Sequence, residues 1–351
     1  MIRVAALTGA EHQPSSRFRV RQHLAALDAQ GVEVADLPAR IDRHAQVLPP
    51  SWERSRLVRW PVRALTHAAK VLARGPDVAR AHRADAIWLQ RELTPGIPSW
   101  EPLFRKPVLF DVDDAIWQSP PAGQLMAKAL ARRADVVVAG NRYLADWFSA
   151  HARRVEIVPT AVDCRRFAPR AGPPPPVLGW IGTASNLGYL ERLEPALKAV
   201  LSRHPDWTLE VVSNAPPSFP GIEPARWRFV PWTAEAEVER VQGFGVGLMP
   251  LDDGPWTRGK CSFKMIQYMA CGIPVVVSPV GMNAEVLSMA ELGRSARATS
   301  EWIDALDGLM ADSALRRGLG AEGRAIAETR FSSARVAVRL AELFRELTGS
   351  R

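Results

Sequence analysis

Cysteine is scarce and unpaired in this chain. Cys164, Cys261 and Cys271 are the three in 351 residues, no two form a CxxC, and none has histidines at metal-ligand spacing. An odd, scattered set argues against a disulfide framework and offers no zinc site. Long apolar runs are missing too. None reaches the roughly 18 residues that a membrane-spanning helix needs, and the opening run Met1–Leu7 turns polar at Thr8–His12, too short for the core of a signal peptide. The expectation is a cytoplasmic protein that does not span a membrane. The first strand-like segment is not followed by G-x-G-x-x-G, which counts against a dinucleotide cofactor. No helix-turn-helix, zinc-finger or RNA-binding signature occurs, so nucleic acid is not an expected partner.

What is present is an ordinary globular composition, 47% hydrophobic and 23% charged. A chain of 351 residues exceeds one hydrophobic core and suggests two domains. The net charge of +8 is uneven, because residues 1–170 hold 26 Lys and Arg against 17 Asp and Glu. Arg54, Arg56, Arg59, Arg63, Lys70, Arg74, Arg80 and Arg83 face only Asp77, with Trp52, Leu57, Val58, Trp60, Leu65 and Leu72 interleaved. Two readings of 54–83 stay open: a basic amphipathic helix making peripheral contact with anionic lipid at the inner membrane face, or a solvated helix face.

Short β-branched runs alternate with helical stretches throughout, the pattern of parallel sheets with crossover helices. Ile2–Leu7, Val32–Leu37, Ala86–Gln90, Pro107–Val112, Val136–Gly140 and Val155–Pro159 are expected strands of a first sheet. Val177–Gly182, Leu209–Ser213, Trp227–Trp232, Gly245–Pro250 and Pro274–Pro279 are those of a second. The fold class is α/β, with two Rossmann-like domains facing across a cleft. The proline run Pro173–Pro176 cannot enter a sheet or a helix interior. It separates an expected domain 1–168 from a second at 177–330, and an amphipathic helix in 331–351 should pack back across the junction. Helices should begin at Ser15–Ser16, ending near Gly31, and at Ser262 as an N-cap. Ligands of such sheets bind beyond the C-terminal strand ends, which singles out the loops 8–16, 113–117, 182–188 and 251–263.

The stretch from Gly245 to Glu285 carries the most chemistry. A buried strand leads into Asp252-Asp253-Gly254-Pro255-Trp256-Thr257-Arg258-Gly259-Lys260, then into a helix from Cys261 to Cys271 that Gly272 stops. The N–H groups of the helix start near Cys261–Lys264, the positive helix end, and Lys260 and Lys264 would together make an anion site suited to a diphosphate, with Ser262 and Phe263 at its centre. Asn283 and Glu285 lie in the loop after the next strand.

This segment resembles the donor-binding motif of the family-4, group-1 glycosyltransferases of GT-B fold. Tyr268-Met269-Ala270-Cys271-Gly272-Ile273-Pro274-Val275-Val276 and Glu285-Val286 follow the family pattern. The resemblance implies that Gln267 stands where a glutamate grips the nucleotide ribose, and that Gly259 stands where a glutamate contacts the transferred sugar. An amide oxygen still accepts hydroxyl hydrogen bonds, whereas glycine replaces nothing. Asp252, Asp253 or Lys260 could take over part of that task, and Gln267 could instead be a solvated helix residue. Glu156 to Phe167 is similar to the segment that ends the family's first domain. By the resemblance Thr183 occupies the place of a phosphate-binding arginine, which leaves Ser185 and Asn186 as weaker donors and makes Arg258, Lys260 and Lys264 the main diphosphate candidates.

By the same resemblance, Val230 and Trp232 border the nucleobase, although an ordinary core strand with an aromatic at its end explains Trp232 nearly as well. Gly9, Ser16 and Arg17 form a first-domain loop near the donor, with a surface salt bridge as the plain alternative for Arg17. Asp113 and Asp114, in Asp111-Val112-Asp113-Asp114-Ala115-Ile116-Trp117, are the candidate catalytic carboxylates, orienting or deprotonating an acceptor hydroxyl, unless one merely caps the next helix. No metal ligands and no cofactor are expected beyond the substrate nucleoside diphosphate sugar. The implied activity is retaining transfer of a sugar to a glycan or lipid-linked acceptor. A non-catalytic nucleotide-sugar-binding relative and a sugar-nucleotide epimerase of the same fold are the alternatives.

Overall fold

The computed structural model describes residues 1–42, 56–97 and 99–349. Trp52 and Arg54 of the basic stretch lie outside the described residues. The chain forms two compact units, Met1–Thr160 joined by the segment from Ala334 onward, and Ala161–Ser333.

In the first unit, β1 (Ile2–Thr8), β2 (Val32–Pro38), β3 (Ala86–Gln90), β4 (Val108–Val112), β5 (Val136–Ala139) and β6 (Val155–Ile157) form one parallel sheet in the order β2-β1-β3-β4-β5-β6. Strands β3, β4 and β5 are buried at every position, as a parallel sheet covered on both faces requires. The second unit repeats the design. Strands β7 (Val177–Ile181), β8 (Thr208–Ser213), β9 (Trp227–Pro231), β10 (Val246–Met249), β11 (Val275–Val277) and β12 (Gly293–Ser295) run in the order β12-β11-β10-β7-β8-β9. Its packing needs two glycines inside strands. A Cβ on Gly179 would fall 1.9 Å from the Phe244 ring, and one on Gly247 would fall 2.3 Å from the Tyr268 ring.

These strand orders fix where a ligand can sit. Each sheet reverses its winding once, between β1 and β3 in the first unit and between β7 and β10 in the second. The crossovers leave such a pair on opposite faces, so a crevice opens beyond their C-terminal ends.

Three sequence expectations need correction. The helix expected from Ser15 to near Gly31 is broken: helix Pro14–Arg19 stops where Val20 leaves helical geometry (φ −123°, ψ −65°), and a 3₁₀ turn and helix Leu24–Asp28 follow. The break lets Arg19 turn inward, where it is 3% exposed. The boundary between units falls at Thr160–Ala161, ahead of the proline run. Residues 161–168 already pair with the second unit, through Val162 N to Phe331 O (2.9 Å) and Gln242 Nε2 to Ala168 O (2.7 Å). Strand β12 was not expected at all.

The last helix, Ser333–Gly349, packs on the first unit. Phe344 meets Trp88 edge-on at 5.5 Å, Arg345 Nη2 donates to Gln30 O at 2.7 Å, and Arg339 pairs with Glu156 at 3.0 Å.

Candidate functional site

At the winding reversal of the second unit, β7 delivers Gly182 and Thr183, and β10 delivers the segment from Leu251 onward. Gly182 is the key to the local shape. A Cβ there would meet both Lys264 Cε and the Trp180 ring at 2.6 Å. Its absence lets the Lys264 stem cross the end of β7 and places Nζ 5.3 Å from the centre of the Trp180 ring. Beside it, Asn186 Nδ2 donates to Thr183 Oγ1 (2.8 Å), which lies 3.0 Å from Ser185 Oγ, and Asn214 Oδ1 accepts from Ala184 N (2.7 Å). The structure thus brings the hydroxyls of Thr183 and Ser185 and the amide of Asn186 together on one loop, and lays Lys264, from the first turn of helix Phe263–Ala270, against Gly182 at the start of that loop. That set suits an anion with several oxygens.

Other residues expected here divide sharply. Arg258 is exposed and pairs with Asp253 (Nε–Oδ1 2.6 Å), Asp252 pairs with Arg192, and Lys260 Nζ lies 5.9 Å from the Trp256 ring. Ser262 stands at the N-cap position of helix Phe263–Ala270, but its side chain does not cap it. It adopts φ +50°, and its buried Oγ donates to Asn283 Oδ1 at 2.7 Å while Asn283 Nδ2 donates to Ser278 O at 3.0 Å. A serine held in left-handed geometry stores strain that only the surrounding bonds justify. These bonds tie the loops after β10 and β11 together. Glu285 is half-buried on the short helix Met282–Leu287.

Gln267 is 2% exposed and donates from Nε2 to Glu237 Oε1 at 3.0 Å. The solvated reading of Gln267 is thereby overturned, since helix Phe263–Ala270 buries that face against helix Glu237–Gln242. Val230 and Trp232 are half-buried at the end of edge strand β9, where Trp232 N donates to Ser213 O (2.9 Å).

In the first unit, Ser16 ties the reversal point together: Gly9 N donates to its Oγ (2.9 Å), which donates to Gln90 Oε1 (2.9 Å), all buried. Ser16 is a brace rather than an exposed ligand group. Arg17 lies with its guanidinium 4.2 Å from the Phe18 ring centre. At the end of β4, Asp114 Oδ2 accepts from Arg91 Nη1 at 2.8 Å, and Ala115, not an aspartate, is the N-cap of the following 3₁₀ turn, with no side-chain bond. Neither Asp113 nor Asp114 stands at the N-cap position of that turn.

Arg91 escaped the sequence reading. It sits directly after buried β3 in left-handed geometry (φ +60°), with Glu92 beside it at 3.8 Å. Burial alone would lower the Arg91 pKa, but Glu92, Asp114 and Asp113 together hold it above the ordinary arginine value. A charged pair placed immediately after an apolar strand was the available signal. Asp111 was missed as well. It is 1% exposed, paired with Arg19 (2.7 Å) and bonded to Trp88 Nε1 (3.1 Å); burial raises its pKa against the opposing pull of Arg19. Among the described residues no group of three or more His, Cys, Asp or Glu side chains is placed to hold a metal ion.

A direct test of the second-unit site is Lys264→Ala, which should weaken nucleoside diphosphate binding by about 1–3 kcal/mol, the range for a charged hydrogen-bond partner. Isothermal titration calorimetry reads the change, and an unaltered affinity removes Lys264 from the site.

Comparison with known proteins comes down to fold and one sequence match. No curated protein matches the chain in sequence. Among solved structures, sucrose-phosphate synthase from Thermosynechococcus elongatus is similar at 18% identity and a TM-score of 0.75, over 100% of both chains. Anabaena HepE in complex with UDP is similar at 15% identity and 0.67, over 99% of this chain and 100% of that one. The Escherichia coli trehalose-6-phosphate protein bound with UDP-2-fluoro glucose matches at 13% and 0.67, over 98% and 99%. The fold, two parallel six-stranded sheets each layered with helices, is the GT-B fold of these neighbours. Residues 175–312, the stretch that builds the β7–β10 site, match the family model of the group 1 glycosyl transferases.

Proposed function

We propose that this chain is a retaining glycosyltransferase that moves a sugar from a nucleoside diphosphate sugar to a glycan or lipid-linked acceptor, with no divalent metal. The observation that carries this reading is the Lys264, Thr183, Ser185 and Asn186 set at the end of β7, inside the stretch that matches the family model. UDP and a UDP-sugar analogue in two neighbours of the same fold support the ligand class. On this reading the second unit binds the donor. As the glycosidic bond breaks, negative charge builds on the leaving diphosphate, and an ammonium already fixed in place stabilises it without reorganisation. Gln267, Asn283 and Glu285 border the nucleoside and sugar, and Asp113 and Asp114 of the first unit orient or deprotonate the attacking hydroxyl.

A second reading, a nucleotide-sugar-binding protein without transferase activity, is favoured by Gly259, where the resembling motif carries a carboxylate, and by the commitment of Gln267 to Glu237. One experiment addresses both. The purified protein is melted with UDP, GDP, ADP, dTDP or CMP, each with Mn²⁺ or with EDTA. Because a ligand of the folded state stabilises it by mass action, a shift of about 5 °C or more is expected for one diphosphate at a hundredfold excess over Kd, with or without metal. That nucleotide identifies the donor base, and transfer assays with its sugars then separate enzyme from binder. Absence of any shift overturns the donor-site assignment, and a shift seen only with Mn²⁺ overturns metal independence.

A further inference from the structure

The helix Arg56–Ala81 turns its apolar side to solvent. Pro61, Leu65, Ala68, Ala69, Leu72 and Pro76 repeat at helical spacing and are all exposed, with Leu65 at 71% and Leu72 at 68%. From Pro61 to Pro76 this face extends roughly 22 Å at 1.5 Å per residue. The inward side carries charge beside the buried Val78 and Ala81. Arg74 is 4% exposed, pairs with Asp77 at 3.1 Å and donates to Leu37 O and Thr8 O, both at 2.9 Å, while Trp100 Nε1 donates to Val71 O at 2.6 Å. A helix on a globular protein normally buries its apolar stripe and wets its charges. Here a charged anchor fixes the inner side and a charge-free stripe looks outward, which marks an interaction surface.

Charge selects the occupant. The helix holds Arg56, Arg59, Arg63, Lys70, Arg74 and Arg80 against Asp77 alone, and Asp77 is spent on Arg74. Arg80 and Arg83 are exposed at the C-terminal end of the stripe, and the first 170 residues carry 26 basic side chains against 17 acidic. A second copy of the chain would bring the same positive field to the contact and be repelled. An anionic bilayer offers the opposite charge together with an apolar layer beneath it.

We propose that this face docks on the surface of an anionic lipid bilayer, with Leu65 and Leu72 entering the boundary between headgroups and acyl chains and the basic side chains meeting lipid phosphates. No helix among the described residues is long and apolar enough to cross a membrane, so the contact is peripheral. It stands independently of the donor-site reading.

Co-sedimentation of the full chain with phosphatidylglycerol vesicles and with phosphatidylcholine vesicles tests it. Binding to phosphatidylglycerol that weakens with salt, and much weaker binding to phosphatidylcholine, is the expected result. Leu65→Glu with Leu72→Glu should lower the bound fraction by roughly tenfold or more with the melting temperature unchanged. If that pair melts early, Leu65→Ala with Leu72→Ala carries the test. Arg80→Glu with Arg83→Glu should reduce binding to phosphatidylglycerol alone. No sedimentation with phosphatidylglycerol, or equal sedimentation of the leucine variants, overturns the proposal. So does a concentration-dependent dimer, lost in the leucine variants, of a protein that ignores vesicles, which assigns the face to a second copy.

Discussion

Asp113→Asn and Asp114→Asn are each expected to lower sugar transfer by about 10²–10⁴-fold, the usual contribution of a positioned proton acceptor or hydroxyl-orienting group. Both side chains emerge where β4 ends, after five consecutive buried residues, so the strand fixes their backbone rigidly. Arg91 holds Asp114 through a 2.8 Å bond, and its own left-handed geometry makes that aim a costly, specific arrangement. Asparagine keeps the shape and removes the basicity, and at Asp114 it also removes the charge paired with Arg91, so the melting temperature of each variant is compared beside its rate. Nucleoside diphosphate affinity should be unchanged, because the Lys264 site is built wholly from the second unit. Initial-rate transfer assays with parallel calorimetry separate the two quantities. Wild-type rates in both variants would falsify the catalytic assignment, and lost nucleotide affinity would show that the substitutions act through structure.

The largest expected effect on stability is that of Arg19→Met. Arg19 and Asp111 are 3% and 1% exposed, bonded at 2.7 Å, and Arg19 Nη1 also donates to Val158 O at 2.8 Å. Removing the guanidinium leaves a buried carboxylate facing Trp88 Nε1 at 3.1 Å, and breaking such a pair costs about 3–5 kcal/mol. Arg19→Met with Asp111→Leu should recover most of that loss, since an apolar pair of similar volume removes the uncompensated charge. Urea unfolding followed by tryptophan fluorescence measures both. A single-variant loss below about 1 kcal/mol would place the pair among weak surface-like bridges.

Much of the fold was legible because central parallel strands are buried on both faces and read as unbroken apolar runs; Val136-Val137-Val138 and Val275-Val276-Val277 are the plainest examples. Strand β12 was not legible. Gly293-Arg294-Ser295 offers no apolar signal and is a strand only because β11 presents a free edge to it. The break at Val20 and the inward turn of Arg19 follow from a partner 92 residues away, which no local pattern contains. The donor loop was partly legible. Lys264 could be placed from its helix start, but its course over Gly182 and Trp180 depends on how that helix lies against β7. Residues with two local explanations, such as Ser262 and Gln267, were resolved only by their tertiary partners, Asn283 and Glu237.

The first unit is assembled from two distant parts of the chain, and the second from one continuous part. A ribosome releases the chain from its N-terminus, so the six strands of the first sheet emerge long before the helix that carries Phe344. Until that helix appears, the edge of Trp88 it covers has no native neighbour there, while the whole of 161–333 can already complete its own core. Synthesis therefore passes through an interval in which the nascent first unit exposes aromatic surface, and a chaperone acting on this protein would meet its substrate there.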